Sequence, residues 1–206
     1  SVWFEQQLTG PDGGEARAYL ARRGVERDTA ERFRLGYAPD GRNRLIRHLA
    51  AKGATPQLIA AAGLSAGGDD GRDPIDRFRH RLIFPIGDRS GRIIAFGGRT
   101  MGDHPAKYLN SPETPVFSKG RVLYGYAQAR KPAHEAGMVI VAEGYMDVIA
   151  LAQAGFRHAV APLGTALTEG QLALLWRLAE EPVLCFDGDQ AGQRAAVRAI
   201  ERALPG

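Results

Sequence analysis

The sequence predicts an α/β fold in which a mixed α/β N-terminal subdomain precedes a parallel sheet with flanking helices. From residue 136 onward, short apolar runs alternate with helical patterns, which is typical of right-handed βαβ units. Residues 1 to about 65 instead carry helix-capping signals, and residues 79–96 carry a hairpin signal. We therefore predict two subdomains, at residues 1–135 and 136–206.

The N-terminal helices are predicted from their capping residues. Asp12 and Asp28 each precede a glutamate by three residues, as the first members of capping pairs do. Thr55 stands before Pro56, which is typical of a cap followed by a proline in the first helical turn. After these helices, the glycines and aspartates of residues 66–72 predict a flexible loop.

A β-hairpin is predicted after this loop. Its arms are residues 79–86 and 92–96, and the turn between them is residues 87–91, with a glycine at each end. Residues 107–119 contain two prolines and an Asn-Ser-Pro turn, so we predict a structured loop beside the strands.

The C-terminal part is predicted as three strand–helix units. Thr168 and Gln171 form a capping box at the start of the second helix. Cys185 lies in the third apolar run, and we expect it to be packed inside a buried strand. The predicted strands are residues 138–142, 158–162 and 182–186, and the predicted helices are residues 145–154, 168–179 and 190–203.

Carboxylates follow two of these strands. Glu143 comes directly after the first strand with Asp147 one helical turn later, and Asp187 and Asp189 follow the third strand. Because ligands of open α/β sheets bind beyond the carboxyl ends of the strands, we expect these acids to share one crevice. Clustered carboxylates favour a hard divalent cation such as Mg²⁺ or Mn²⁺. The alternative is that they cap the following helices.

Composition excludes several classes of protein. The single cysteine excludes an internal disulfide and, with only five scattered histidines, a zinc site of the CxxC type, so no zinc is expected in this chain. No apolar stretch approaches the ~20 residues of a membrane span, and the N-terminal residues lack a signal-peptide pattern. We expect a cytoplasmic protein without a membrane partner.

Positive charge is concentrated in one segment. Ten basic and five acidic residues lie between Arg72 and Arg121, a net charge of +5 in a chain of net charge +4. Aromatic residues interleave with these charges, as on surfaces that bind nucleotides or nucleic acid. The alternative is the solvated face of an ordinary basic protein.

Several segments resemble one family. Residues 143–151, 163–166 and 187–192 resemble the Toprim module of bacterial DnaG-type DNA primases. Toprim folds also occur in topoisomerases and nucleases. Four other segments, however, are similar to primases in particular: residues 77–85, 96–99, 105–114 and 117–121. Together the resemblance covers most of the chain.

The resemblance implies the RNA-polymerase domain of a primase, truncated after a partial Toprim sheet. Its activity would be synthesis of short RNA primers on single-stranded DNA, by two-metal nucleotidyl transfer from NTPs. Glu143 would be an acid/base or metal-bridging group, Asp187 and Asp189 would bind metal, and Asp147 would be a further ligand or an acid of the first helical turn. The implied nucleotide- and DNA-binding residues are Lys107, Tyr108, Asn110, Lys119, Arg77, Arg79 and Arg99.

The resemblance also implies partners. The family binds the replicative helicase through a C-terminal region beyond this sequence, and regulatory guanine nucleotides are another expected ligand. Its zinc-binding domain is not expected here. Three other functions remain open: another Toprim enzyme such as a topoisomerase or nuclease, a catalytically silent module that binds single-stranded nucleic acid, and, more distantly, a phosphatase with an Asp-x-Asp pair.

Overall fold

A computed structural model describes residues 1–67, 73–164 and 166–204. Most of the predicted loop at 66–72, including Arg72, lies outside the described residues, and so does Thr165 of the 163–166 motif. The chain divides into two compact units, one of Ser1–Pro85 with Ile93–Val116 and one of Ile86–Arg92 with Phe117–Gly206. The predicted subdomain ranges 1–135 and 136–206 stay a prediction. Among the described helices, none has the length and apolar character that crossing a membrane requires.

In its described residues, the first unit contains five short α-helices and two small sheets. The helices are α1 (Val2–Thr9), α2 (Gly14–Arg22), α3 (Arg27–Arg32), α4 (Arg44–Ala51) and α5 (Pro56–Ala61). The strands are β1 (Gly36–Ala38), β2 (Ser65–Ala66), β3 (Ile75–Asp76), β4 (Arg81–Gly87), β5 (Ile93–Thr100) and β6 (Tyr108–Asn110). The last two residues of β4 belong to the second unit.

One of the three predicted N-terminal caps is confirmed. Thr55 Oγ1 accepts a hydrogen bond from Leu58 N at 3.2 Å and so caps α5. The caps predicted at Asp12 and Asp28 are wrong, because α2 and α3 begin without a side-chain cap hydrogen bond. Asp12 pairs instead with Arg44 across the unit at 2.6 Å, a distant partner that its local spacing does not reveal.

The predicted hairpin is present as β4 and β5, in a sheet of order β1-β4-β5-β6. β1 pairs antiparallel with β4, and β6 pairs antiparallel with β5. The prediction of a loop over residues 107–119 is wrong for residues 108–110, which pair with Gly97–Arg99 of β5. An apolar cluster packs against this sheet and includes Phe4, Phe78 and Phe96, with the rings of Phe4 and Phe96 edge to face at 5.2 Å.

The second unit contains the strand–helix alternation expected from the sequence. Its strands are β7 (Leu123–Tyr124), β8 (Val139–Ala142), β9 (Ala159–Pro162) and β10 (Pro182–Cys185). Its helices are α6 (Tyr126–Ala136), α7 (Tyr145–Gln153), α8 (Glu169–Leu175) and α9 (Gln190–Ala203). The sheet order is β10-β8-β9-β7, with β10, β8 and β9 parallel and β7 antiparallel to β9. The α/β fold class is confirmed.

The expectation that Cys185 is buried is wrong. β10 lies at the edge of the described sheet, and its residues alternate between half-buried and exposed. Leu184 packs toward the apolar core of this unit, whereas Val183 is 44% exposed and Cys185 is also exposed. An apolar run predicts a strand, but only the neighbouring elements decide whether both of its faces are covered.

Candidate functional site

The carboxyl ends of β8 and β10 lie side by side. The two strands are parallel, and Ala142 is the register partner of Cys185. Glu143 therefore leaves the sheet beside the residues that follow β10. Its Oε1 accepts a hydrogen bond from Asp187 N at 2.8 Å. This bond joins the two strand ends that the sequence predicted to meet.

Gly192, in the first turn of α9, lets this helix lie close to Glu143. A Cβ atom at position 192 would be 2.7 Å from Glu143 Oε1 and 2.1 Å from the carbonyl oxygen of Asp187. Both distances are shorter than any van der Waals contact, so a larger residue would push the helix, the Glu143 side chain or the 187 backbone away. The close approach of three segments depends on this glycine.

Two of the predicted ligands cap helices. Asp189 Oδ1 accepts hydrogen bonds from Ala191 N at 2.9 Å and Gly192 N at 2.8 Å, and so caps α9. Asp147 Oδ2 accepts one from Gly144 N at 3.0 Å, in the first turn of α7. The capping alternative is therefore observed for both. Because an ionised carboxylate has two oxygens, these bonds are compatible with a second role.

The described residues contain no group of three or more His, Cys, Asp or Glu side chains placed to hold one metal ion. The metal site of Glu143, Asp147, Asp187 and Asp189 therefore stays a prediction. The chemistry of these donors is consistent with it, since they present only carboxylate oxygens, which Mg²⁺ and Mn²⁺ prefer. The bond between Glu143 and the Asp187 backbone brings two of them to one edge of the sheet.

Lys119 lies in a 3₁₀ turn whose backbone is hydrogen-bonded to the first turn of α8. The predicted capping box is confirmed, with Thr168 Oγ1 accepting from Gln171 N and Gln171 Oε1 accepting from Thr168 N, both at 3.1 Å. The buried amide of Gln171 donates to the carbonyl oxygens of Lys119 and Val122, each at 2.9 Å. Gln171 thus fixes the 3₁₀ turn Lys119–Arg121, a role that its capping-box spacing alone did not predict.

The other predicted DNA-binding residues lie in the first unit. Lys107 is exposed, and Tyr108, at the start of β6, is 41% exposed. Arg77 donates to the carbonyl oxygen of Asn110 through Nη2 at 2.7 Å and through Nε at 3.2 Å. Burial lowers the pKa of Arg77. Arg77 therefore supports the strand that carries Tyr108 and Asn110.

Arg79 and Arg99 are also tied to their own unit. Arg79 donates to the carbonyl oxygen of Asp76. Arg99 donates to the carbonyl oxygen of Thr100 at 2.9 Å, and its guanidinium carbon lies 4.1 Å from the centre of the Tyr19 ring. Both side chains are half-buried.

Arg81 shows where the charge count overestimates the basic surface. Arg81 is only 3% exposed, and its guanidinium donates to the carbonyl oxygens of Gly98, Ala106 and Lys107 at 3.1 to 3.4 Å. Burial, followed by the charge of Arg79, lowers the pKa of Arg81. This arginine joins β4 to β5 and to the residues before β6. In the sequence it stands in a basic stretch directly before the apolar run 82–86, which gives no sign of that role.

Comparisons with known proteins agree with this architecture. Residues 3–130 match the family "DNA primase catalytic core, N-terminal domain", and residues 137–206 match the Toprim domain family. The DNA primase of Pseudomonas putida is 50% identical over 205 residues, which cover 99% of this chain and 31% of the relative. The DNA primase of Escherichia coli K12 is 44% identical over 205 residues, covering 100% of this chain and 35% of the relative.

Solved structures are similar over nearly the whole chain. A DNA primase domain from Pseudomonas aeruginosa has a TM-score of 0.93 at 48% identity, covering 100% of this chain and 64% of that one. The E. coli primase catalytic core has a TM-score of 0.90 at 44% identity, covering 99% of this chain and 65% of that one. The chain spans about a third of the length of these curated relatives. With a family match over residues 3–130 and these identities, the chain belongs to the DnaG-type DNA primase family.

Proposed function

We propose that the protein is part of the RNA-polymerase domain of a primase and takes part in synthesis of short RNA primers on a single-stranded DNA template. The observation that carries this proposal is the bond between Glu143 and the Asp187 backbone at neighbouring strand ends, in a chain of this family. Two-metal nucleotidyl transfer needs oxygen ligands that meet at one place to hold the ions, and carboxylates at neighbouring strand ends can supply them.

Glu143, Asp187 and Asp189 would hold Mg²⁺ or Mn²⁺, with Asp147 as a further ligand. Such ions, when bound, neutralise negative charge on the attacking 3′-hydroxyl oxygen and on the leaving pyrophosphate. The chain's own contribution is orientation. The Asp187 amide holds Oε1 of Glu143, which leaves Oε2 to bind a cation or to accept a proton, and the capping bonds of Asp189 fix that side chain in the same way.

The template and the NTPs would bind through the basic and aromatic residues. A DnaG primase catalytic domain that is 43% identical to this chain has been solved bound to ssDNA, which supports single-stranded DNA as the partner here. Exposed Tyr108 offers a ring on which a base can stack, and Lys107 and Lys119 offer charges for phosphates. Asn110, Arg77, Arg79 and Arg99 would complete the binding surfaces of their own unit.

Three further proposals rest on the family resemblance alone. The replicative helicase would bind a region C-terminal to this sequence. Regulatory guanine nucleotides would compete with NTPs at the basic residues. The protein would work in the bacterial cytoplasm, at the nucleoid where the template is.

The test is ribonucleotide incorporation on a single-stranded template by the intact protein and its Glu143→Gln variant. Glutamine keeps an oxygen that can accept from Asp187 N, so the variant should fold, and activity should fall by about 100-fold or more. The matched control is Glu135→Gln, which removes an exposed acid that pairs with exposed Lys131 at 3.7 Å. Undiminished synthesis by Glu143→Gln would refute the role of Glu143.

A second candidate is a module that binds single-stranded DNA without catalysis. It is favoured by the finding that the described residues contain no group of three or more ligating side chains around one point. The two functions differ in their need for metal. A binding-only protein should hold single-stranded DNA equally well in chelator, and its affinity should fall steeply with salt.

A further inference from the structure

Arg99 and Tyr19 form a stacked pair within the first unit. Arg99 lies on β5, and Tyr19, which is 8% exposed, lies on α2. The guanidinium carbon of Arg99 is 4.1 Å from the centre of the Tyr19 ring. This is well within the ~6 Å over which a guanidinium and an aromatic ring attract each other.

The hydrogen bonds of Arg99 differ from those of the neighbouring arginines. Arg81 donates to three carbonyl oxygens and Arg77 donates twice to Asn110 O. Arg99 donates through Nη1 to Thr100 O, and its buried Nε has no acceptor among residues 1–67, 73–164 and 166–204. A buried donor without an acceptor is unfavourable, so Nε itself does not hold the guanidinium in place. The contacts that hold it are the bond to Thr100 O and the attraction to the Tyr19 ring.

We propose that Tyr19 is a positioning residue that holds the Arg99 guanidinium ready to bind a phosphate of single-stranded DNA. The inference rests on the proposed function. Stacking uses the face of the guanidinium and leaves N–H groups able to donate to phosphate oxygens. It also restricts the arginine side chain before DNA arrives, which lowers the entropy lost on binding.

The first test measures affinity of the intact protein for fluorescein-labelled oligo(dT) by anisotropy at several salt concentrations. Tyr19→Phe keeps the ring and should bind like the wild type. Tyr19→Leu keeps apolar bulk without the ring, and affinity should fall by about three- to tenfold. The affinity of Arg99→Ala should fall at least as far. The slope of its affinity against salt concentration should decrease by the amount expected for one lost phosphate contact.

A double-mutant cycle separates positioning from mere packing. If Tyr19 acts through Arg99, adding Tyr19→Leu to Arg99→Ala should produce no further loss of affinity. The matched control is Phe33→Leu, because Arg32 lies over the Phe33 ring at 5.8 Å in the same unit but is not a proposed DNA contact. Phe33→Leu should lower the unfolding temperature without changing affinity for oligo(dT).

A spectroscopic test does not depend on folding of the Tyr19→Leu variant. In the NMR spectrum of the wild-type protein, the Tyr19 ring should shift the resonance of the Arg99 Nε–H proton upfield. The resonance is assigned to Arg99 because it should disappear in the Arg99→Lys variant. An unshifted resonance, or full affinity in Tyr19→Leu, would overturn this inference while leaving primer synthesis intact. Failure of the wild-type protein to bind oligo(dT) would overturn the proposed function as well.

Discussion

The acidic candidate residues of the second unit and the arginines of the first unit are held in opposite ways. In the second unit, Glu143 and Asp189 each accept backbone N–H groups with a single oxygen. In the first unit, Arg77 and Arg81 donate repeatedly to backbone carbonyl oxygens. A carboxylate bonded through one oxygen is oriented and keeps the other oxygen for a ligand. A guanidinium that donates to several carbonyl oxygens stabilises the fold and has few N–H donors left for a ligand.

The difference shows that formal charge is a poor measure of a binding surface. Burial lowers the pKa of both Arg77 and Arg81, because the protein interior disfavours the charged form. Both side chains stay cationic at neutral pH, but backbone carbonyl oxygens accept their N–H groups, and Arg81 is only 3% exposed. The net charge of +5 counted between Arg72 and Arg121 therefore overstates the number of guanidinium groups open to a ligand. Exposed Lys107, exposed Tyr108 and stacked Arg99 are better candidates for contact with DNA.

The largest effect is expected at Arg81. Arg81→Met should lower the free energy of unfolding by about 3 kcal/mol, because it removes the charged donor to the carbonyl oxygens of Gly98 and Ala106, in a buried and a half-buried place respectively. Urea denaturation measures this loss. Arg92→Met, which removes an exposed arginine paired with Asp88, should have a much smaller effect. Equal losses would contradict the structural role of Arg81.

Gly192→Ala should have the next largest effect. The added methyl group would overlap Asp187 O and Glu143 Oε1, so we expect a loss of about 2 kcal/mol in unfolding free energy and weaker primer synthesis. Gly188→Ala is the matched control, since a Cβ there meets no atom within 4 Å. Gly188→Ala should fold with wild-type stability in the same urea titration. A Gly192→Ala protein as stable and active as wild type would show that the two strand ends need not lie so close.

Substitutions at Asp189 separate capping from ligand binding. Asparagine is as good a helix cap as aspartate, so Asp189→Asn should keep the unfolding free energy within about 0.5 kcal/mol, whereas Asp189→Ala should lose about 1 kcal/mol. Both substitutions remove the negative charge, so both should weaken Mn²⁺ binding measured by calorimetry. Undiminished Mn²⁺ affinity in Asp189→Asn would leave Asp189 with the capping role alone.

The second unit was predicted well because its signals are local. The start of each of its three predicted helices is within one residue of the position observed, and the capping box of Thr168 and Gln171 forms as predicted. The proximity of Glu143 and Asp187 was also predicted, since parallel strands bring their carboxyl ends to one edge. The predicted helix at 168–179 was too long, as α8 ends at Leu175.

The sequence by itself determined the α/β alternation, the hairpin and the residues at the strand ends, because these depend on short-range spacing. The family was identified from the resemblance of several segments to known primases. Only the tertiary structure decided that Cys185 is exposed, that Asp12 pairs with Arg44, that β6 pairs with β5, and that Arg81 is buried while Arg99 lies over Tyr19. The physical reason is that burial and pairing are set by residues distant in the chain. A spacing of three or four residues specifies a helical turn, but it does not specify which surface will cover it.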